Sequence, residues 1–140
     1  MRLDEYAAHD ALGLAALVRG GDVTAAELSQ LAVAAIEQVD GQLNAVAGVY
    51  PDAVESAGDA APGLFHGVPT LLKDLFHGDR GRPTEAGSRM AAGWVARYQS
   101  EMVARIRGAG MVPVGRSTTS EFGIMGTTET IAVDKSRDFS

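Results

Sequence analysis

An α/β fold, with a sheet packed against helices, is what this sequence predicts. Three observations carry the prediction. Residues 68–75 and 111–115 are short apolar runs bounded by turn formers, the pattern of buried strands. Stretches of helical periodicity precede and separate them. The links are short, which favours layered helix-to-strand packing over a bundle.

Taken in order, residues 4–19 carry Tyr6, Leu12, Leu14, Leu17 and Val18 at helical spacing, and Gly20-Gly21 supplies a stop. One helix is expected there. Thr24 and Glu27 form a capping box, after which Leu28, Leu31, Ala32, Ala35, Ile36 and Val39 make an apolar stripe, so a second helix runs to about Val39. Residues 44–50 read as extended. Pro51 opens a short helix to about Ala60, ended by Ala61-Pro62-Gly63. The first strand follows over 68–75, with Pro69 near its start. Residues 76–87 hold too much glycine and charge for a regular element and read as a loop. Ser100 caps a helix that runs through Met102, Val103 and Ile106 and ends near Gly108 and Gly110, and the strand over 111–115 follows. No internal repeat is present.

Bulk properties exclude several functions. The 140 residues are 46% hydrophobic with a formal net charge of −6, enough for one domain and unsuited to a nucleic-acid or anionic-membrane surface. Cysteine is absent, which removes disulfides, thiolate zinc sites and a cysteine nucleophile. The first residues lack the unbroken apolar run of a signal peptide or membrane span, so a cytoplasmic protein is expected. His9, His66 and His77 are scattered without metal-pair spacing and read as surface or packing residues; neither metal nor cofactor is expected.

Lys73 is the residue with chemical potential. It follows Leu71 and Leu72 in an apolar strand, where an ammonium is costly to desolvate and a neutral amine can serve as a base. The plainer reading leaves it at a strand end, snorkelling to water or paired with Asp74. A phosphate-binding loop is excluded, because that motif needs glycine before its lysine and Ser or Thr after it, whereas Leu72 and Asp74 stand there.

The flanking motifs decide between these. Gly67-Val-Pro-Thr-Leu-Leu-Lys73-Asp74 resembles the amidase-signature family's Gly-Val-Pro-x-x-x-Lys-Asp block, and Thr84-Glu-Ala-Gly87-Ser88 resembles its Thr-x-x-Gly-Ser loop. The stretch from Met111 through Gly115 to Glu121-Phe122 resembles its apolar strand followed by Gly-Lys-Thr-Asn-x-x-Glu-Phe. The three occur in family order, the resemblance covers roughly residues 12–129, and the wording around Lys73 and Gly126 is similar to the branch that contains nylon-oligomer hydrolases.

The resemblance implies the N-terminal portion of an amidase-signature fold over residues 1–130, incomplete at its C-terminus, with 131–140 a divergent or truncated tail. It also implies hydrolysis of a small-molecule amide by a Ser-Ser-Lys relay, in which a neutral lysine draws a proton through one serine from the nucleophilic serine. Lys73 is then the base and Asp74 its structural neighbour, while Ser88 and Glu121 shape the site. The family's Gly-Gly-Ser segment has no counterpart among these 140 residues, so Ser117, Ser120, Ser136 and Ser140 inherit no catalytic role. Arg116 replaces the usual lysine, and Thr118, in place of asparagine, is expected to cap a short helix at Glu121. Without both serines the chain is expected to be inactive alone and to self-associate through uncovered strand edges. Two alternatives remain: a non-catalytic remnant or interaction module that pairs with another chain, and an unrelated small α/β binding domain.

Overall fold

Local capping decides where the helices begin. In the computed structural model, which describes residues 1–129, the segment expected as one helix is two: α1 (Leu3–Ala7) and α2 (Ala11–Gly20). The reason is Asp10, whose carboxylate accepts the Gly13 N–H at 2.7 Å and so starts a new helix where the periodicity alone continued the old one. Thr24 and Glu27 form the expected capping box at the head of α3 (Ala25–Leu43), with the Glu27 carboxylate accepting the Thr24 N–H at 2.8 Å. This helix runs four residues beyond Val39 and ends at Asn44, whose φ of 52° is left-handed. Asp40 then holds the chain as it leaves, accepting the N–H groups of Ala45 and Val46 at 2.7 and 2.9 Å.

The extended piece becomes β1 (Val46–Val49), and Pro51 opens α4 (Pro51–Glu55), followed by a 3₁₀ turn at Ala57–Asp59. Next come β2 (Pro69–Lys73), α5 (Glu101–Gly108) headed by Ser100, and β3 (Val112–Ser117). Among the described residues the strands form one mixed sheet in the order β1-β3-β2. β3 runs antiparallel to β1 and parallel to β2, with Lys73 opposite Ser117. A parallel pair needs a crossover, and α5 lies within it. Residues 76–87 of that crossover form no helix or strand, as expected, and a 3₁₀ turn follows at Arg89–Ala91. The segment is tied down by Arg82, which grips Asp52 through both guanidinium nitrogens at 2.8 and 2.7 Å and lies 4.3 Å above the Tyr50 ring.

Two apolar clusters hold the layers together. Leu14, Ala15, Val23, Leu28 and Val68 join the helices to the start of β2, while Ala25, Ala57, Val112 and Val114 join α3 to the sheet. Fully buried side chains such as Leu28 and Val114 contribute about 1.5–3 kcal/mol each. No helix among the described residues is long and apolar enough to cross a membrane. Residues 131–140, expected as a divergent tail, lie outside the described residues.

Gly115 is where the sheet is tightest, because a Cβ there would lie 2.4 Å from the Gly48 carbonyl oxygen. Gly41, on the exposed side of α3, has nothing within 4 Å of such a Cβ. Urea unfolding should therefore separate two chemically identical changes. Gly115→Ala is expected to destabilise by about 1–3 kcal/mol through overpacking, and Gly41→Ala to stabilise by up to about 1 kcal/mol through helix propensity.

Candidate active site

The carboxyl ends of parallel strands are where an open α/β sheet offers a crevice to ligands. Lys73 is the last residue of β2 and lies at that end, beside Ser117 of β3. It is exposed, which corrects the expectation of a desolvated lysine: the apolar stretch is buried at Leu72 and the strand stops one residue later. The pairing with Asp74 is also corrected, since Lys73 forms no ion pair among the described residues and Asp74 faces elsewhere.

Asp74 is buried, at 4% exposure, and its N–H and both carboxylate oxygens have partners. Its N–H donates to the Ser117 carbonyl at 3.0 Å, extending the ladder one residue past β2. Its Oδ1 accepts the Glu85 N–H at 2.8 Å, and its Oδ2 lies 3.2 Å from Nη1 of Arg116, an ion pair without hydrogen-bond alignment. Arg116 reaches onward, donating from Nη2 to Glu85 Oε2 at 2.5 Å, and the other oxygen of Glu85 accepts the Gly93 N–H at 2.8 Å. One guanidinium thus links β3, the turn after Lys73 and the loop that carries Ser88.

The charges respond to this arrangement. Burial pushes the Arg116 guanidinium down, but the hydrogen bond to Glu85 and the charges of Asp74 and Glu85 outweigh it and hold it above its ordinary value. For Glu85 burial pushes the carboxyl up, and the Gly93 N–H and Arg116 together reverse this and hold it below 4.5.

Ser88 and Glu121, expected to shape the site, meet directly. The buried Ser88 hydroxyl donates to Glu121 Oε1 at 2.6 Å and accepts the Met90 N–H at 3.2 Å. The two loops also join through their backbones, where Phe122 N–H donates to the Ala86 carbonyl at 2.9 Å. Gly87 is required between them: its φ is +62°, and a Cβ would lie 2.5 Å from the Thr119 carbonyl oxygen. Phe76 and Phe122 stack, 6.3 Å between ring centres. Both have left-handed φ, 55° and 52°, uncommon for aromatic residues and frequent where a site holds its backbone under constraint.

Other expectations are modified. Thr118 does not cap the turn at Glu121–Gly123; Ser120 occupies that position, and its hydroxyl instead donates to the Met125 carbonyl at 2.8 Å. Thr118 is used through its backbone, donating to the Ala45 carbonyl. Ser117 lies at the end of β3 and Ser120 is buried, while Ser136 and Ser140 fall outside the described residues. His66 packs with Nδ1 3.0 Å from the Ala61 carbonyl oxygen, and the described residues contain no grouping of side chains able to hold a metal. Arg116 and Glu85 join this network without having been given a place in it by the sequence. The available signal was a cation at the end of an apolar strand with a carboxylate in each neighbouring motif.

A family model described as Amidase matches residues 27–137. A glutamyl-tRNA(Gln) amidotransferase subunit from Paenarthrobacter aurescens is 34% identical over 96% of this chain, which spans 28% of that relative's length. A 6-aminohexanoate cyclic dimer hydrolase structure superposes with a TM-score of 0.84 at 32% identity, covering 94% of this chain and 27% of its own. The peptide amidase of Stenotrophomonas maltophilia gives 0.76 at 30% identity, covering 84% and 26%. The chain therefore spans between a quarter and three tenths of the proteins it resembles.

Acid should weaken this assembly in a defined direction. A carboxyl held below its unfolded value contributes stability that is complete above that value and is lost as pH falls through the folded one. Chemical denaturation from pH 7 downward is expected to show stability declining below about pH 4.5, the ordinary value for Glu85. Glu85→Gln should be less stable at pH 7 and show a shallower acid decline. An identical decline in both proteins would contradict the assignment.

Proposed function

Since this chain belongs to the amidase family, we propose that it supplies Lys73 as the base of a Ser-Ser-Lys relay that hydrolyses a carboxylic amide. The observation that carries the reading is the convergence around Lys73. The turn after it, the Gly87-Ser88 loop and the Glu121-Phe122 turn are joined by hydrogen bonds, although they are distant in sequence.

The chemistry follows from the groups involved. The Lys73 amine takes a proton from a relay serine, which takes one from the nucleophilic serine as its oxygen attacks the amide carbonyl. The tetrahedral intermediate collapses with cleavage of the C–N bond, the amine departs with a proton, and water then releases the acid from the ester. The exposed Lys73 is open to such a partner at the end of β2, while Ser88 and Glu121 hold the loop beside it. Ser88 does not serve as nucleophile in this reading, because its hydroxyl is buried and committed to Glu121.

The relatives' names span an amidotransferase, a cyclic-dimer hydrolase and a peptide amidase, so the substrate class proposed is a small-molecule amide and nothing narrower. Serines from further polypeptide complete the relay. In a protein that joins this segment to them, Lys73→Ala is expected to lower kcat/KM about 10²–10⁴-fold, the contribution typical of a general base. An unchanged rate would overturn the reading. The 140 residues alone are expected to show neither labelling by a fluorophosphonate serine probe nor turnover of a chromogenic anilide.

A second reading is a non-catalytic module that pairs with another chain. Exposed apolar side chains favour it: Phe76, Trp94 and Tyr98 are each about half exposed, and Ile124 is 78% exposed. It gains if the Lys73→Ala protein turns over amide at the original rate.

A further inference from the structure

Lysine followed directly by aspartate poses a problem for a base. A free carboxylate on the next residue is the nearest available counter-ion in sequence, and an ion pair favours the ammonium, which has no lone pair, over the amine that accepts a proton. Here Asp74 is not free. Its two oxygens are taken by the Glu85 N–H and by Arg116, and Lys73 is left exposed without an ion pair among the described residues. With Arg116 removed, the cation next to Asp74 in the chain is that of Lys73.

We propose that Arg116 is a positioning residue for Lys73: by holding Asp74 and Glu85 together, it keeps Asp74 away from the lysine and leaves the amine available. The geometry suits guanidinium in particular. One planar fork spans two carboxylates at 3.2 and 2.5 Å, one from each side of the site, and its side chain is only 12% exposed. Its place is set by strand register, since Arg116 pairs with Leu72 and so lies one residue before the Lys73 position on the adjacent strand. This inference rests on the reading of Lys73 as a base, but it can be tested without turnover.

The sequence makes the test direct, because its lysines are Lys73 and Lys135. The 140-residue chain would be treated with limiting acetic anhydride at pH 8, and acetylation of Lys73 measured relative to Lys135 by mass spectrometry. Arg116→Met is expected to lower the Lys73-to-Lys135 ratio about three- to fivefold, as the released carboxylate captures the ammonium. Arg116→Gln, which keeps a donor without charge, should do the same. Adding Asp74→Asn to Arg116→Met should return the ratio to within about twofold of the original, a rescue that a merely structural role would not give.

An unchanged ratio in a folded Arg116 variant, or failure of Asp74→Asn to restore it, would overturn the proposal. So would loss of cooperative thermal unfolding in both single variants, which would leave Arg116 a role in stability alone. Amide turnover that ignores Lys73→Ala would sink the catalytic reading while leaving the labelling result intact, so the two failures are distinguishable.

Discussion

The interaction on which the site depends is the ion-pair bridge of Asp74, Arg116 and Glu85. Three segments separated in sequence meet there, and each contributes a group that would be costly alone: a carboxylate at 4% exposure, a guanidinium at 12% and a half-buried second carboxylate. Charges removed from water are tolerated only when they satisfy one another. The bridge therefore fixes the turn after β2 and the Gly87-Ser88 loop together, because neither can move without exposing a partner to an unpaired buried charge.

The sheet sets up this arrangement before any side chain acts. β3 runs parallel to β2 and brings Arg116 opposite Leu72 and Ser117 opposite Lys73, so that the carboxyl ends of the two strands lie side by side. Gly115 allows the close approach of β1 on the other side of β3, and Gly87 allows the Ser88 loop to lie against Thr119. Function in this account begins with backbone spacing. The hydrogen bond from Ser88 to Glu121 and the Phe76-Phe122 stack tie the neighbouring loops together, and Lys73 is exposed.

How much of this the sequence disclosed follows the range of each interaction. Thr24 with Glu27, Pro51 and Ser100 act within one helical turn, and their elements were legible at once. Asp10 acts over the same range but was masked by apolar periodicity running through it, so two helices read as one. The strand positions were clear, whereas the burial of Lys73 was not, because whether a strand ends before or after its charged residue is decided by the partner strand. Arg116 shows the limit most plainly. Its two carboxylates lie 42 and 31 positions away, and only the β2-β3 register brings them within reach. The motif resemblance located Lys73, Ser88 and Glu121 and put Arg116 where a lysine is usual, but not that this cation joins Asp74 to Glu85.

A double-mutant cycle on unfolding free energy, with Asp74→Asn, Arg116→Met and the pair, tests the central claim most directly. If the bridge organises the site as described, the two changes couple by about 2 kcal/mol or more, since the second costs little once the first has broken the pair. Effects that add to within about 0.5 kcal/mol would show that Asp74 and Arg116 act independently, and the account built on their bridge would be wrong.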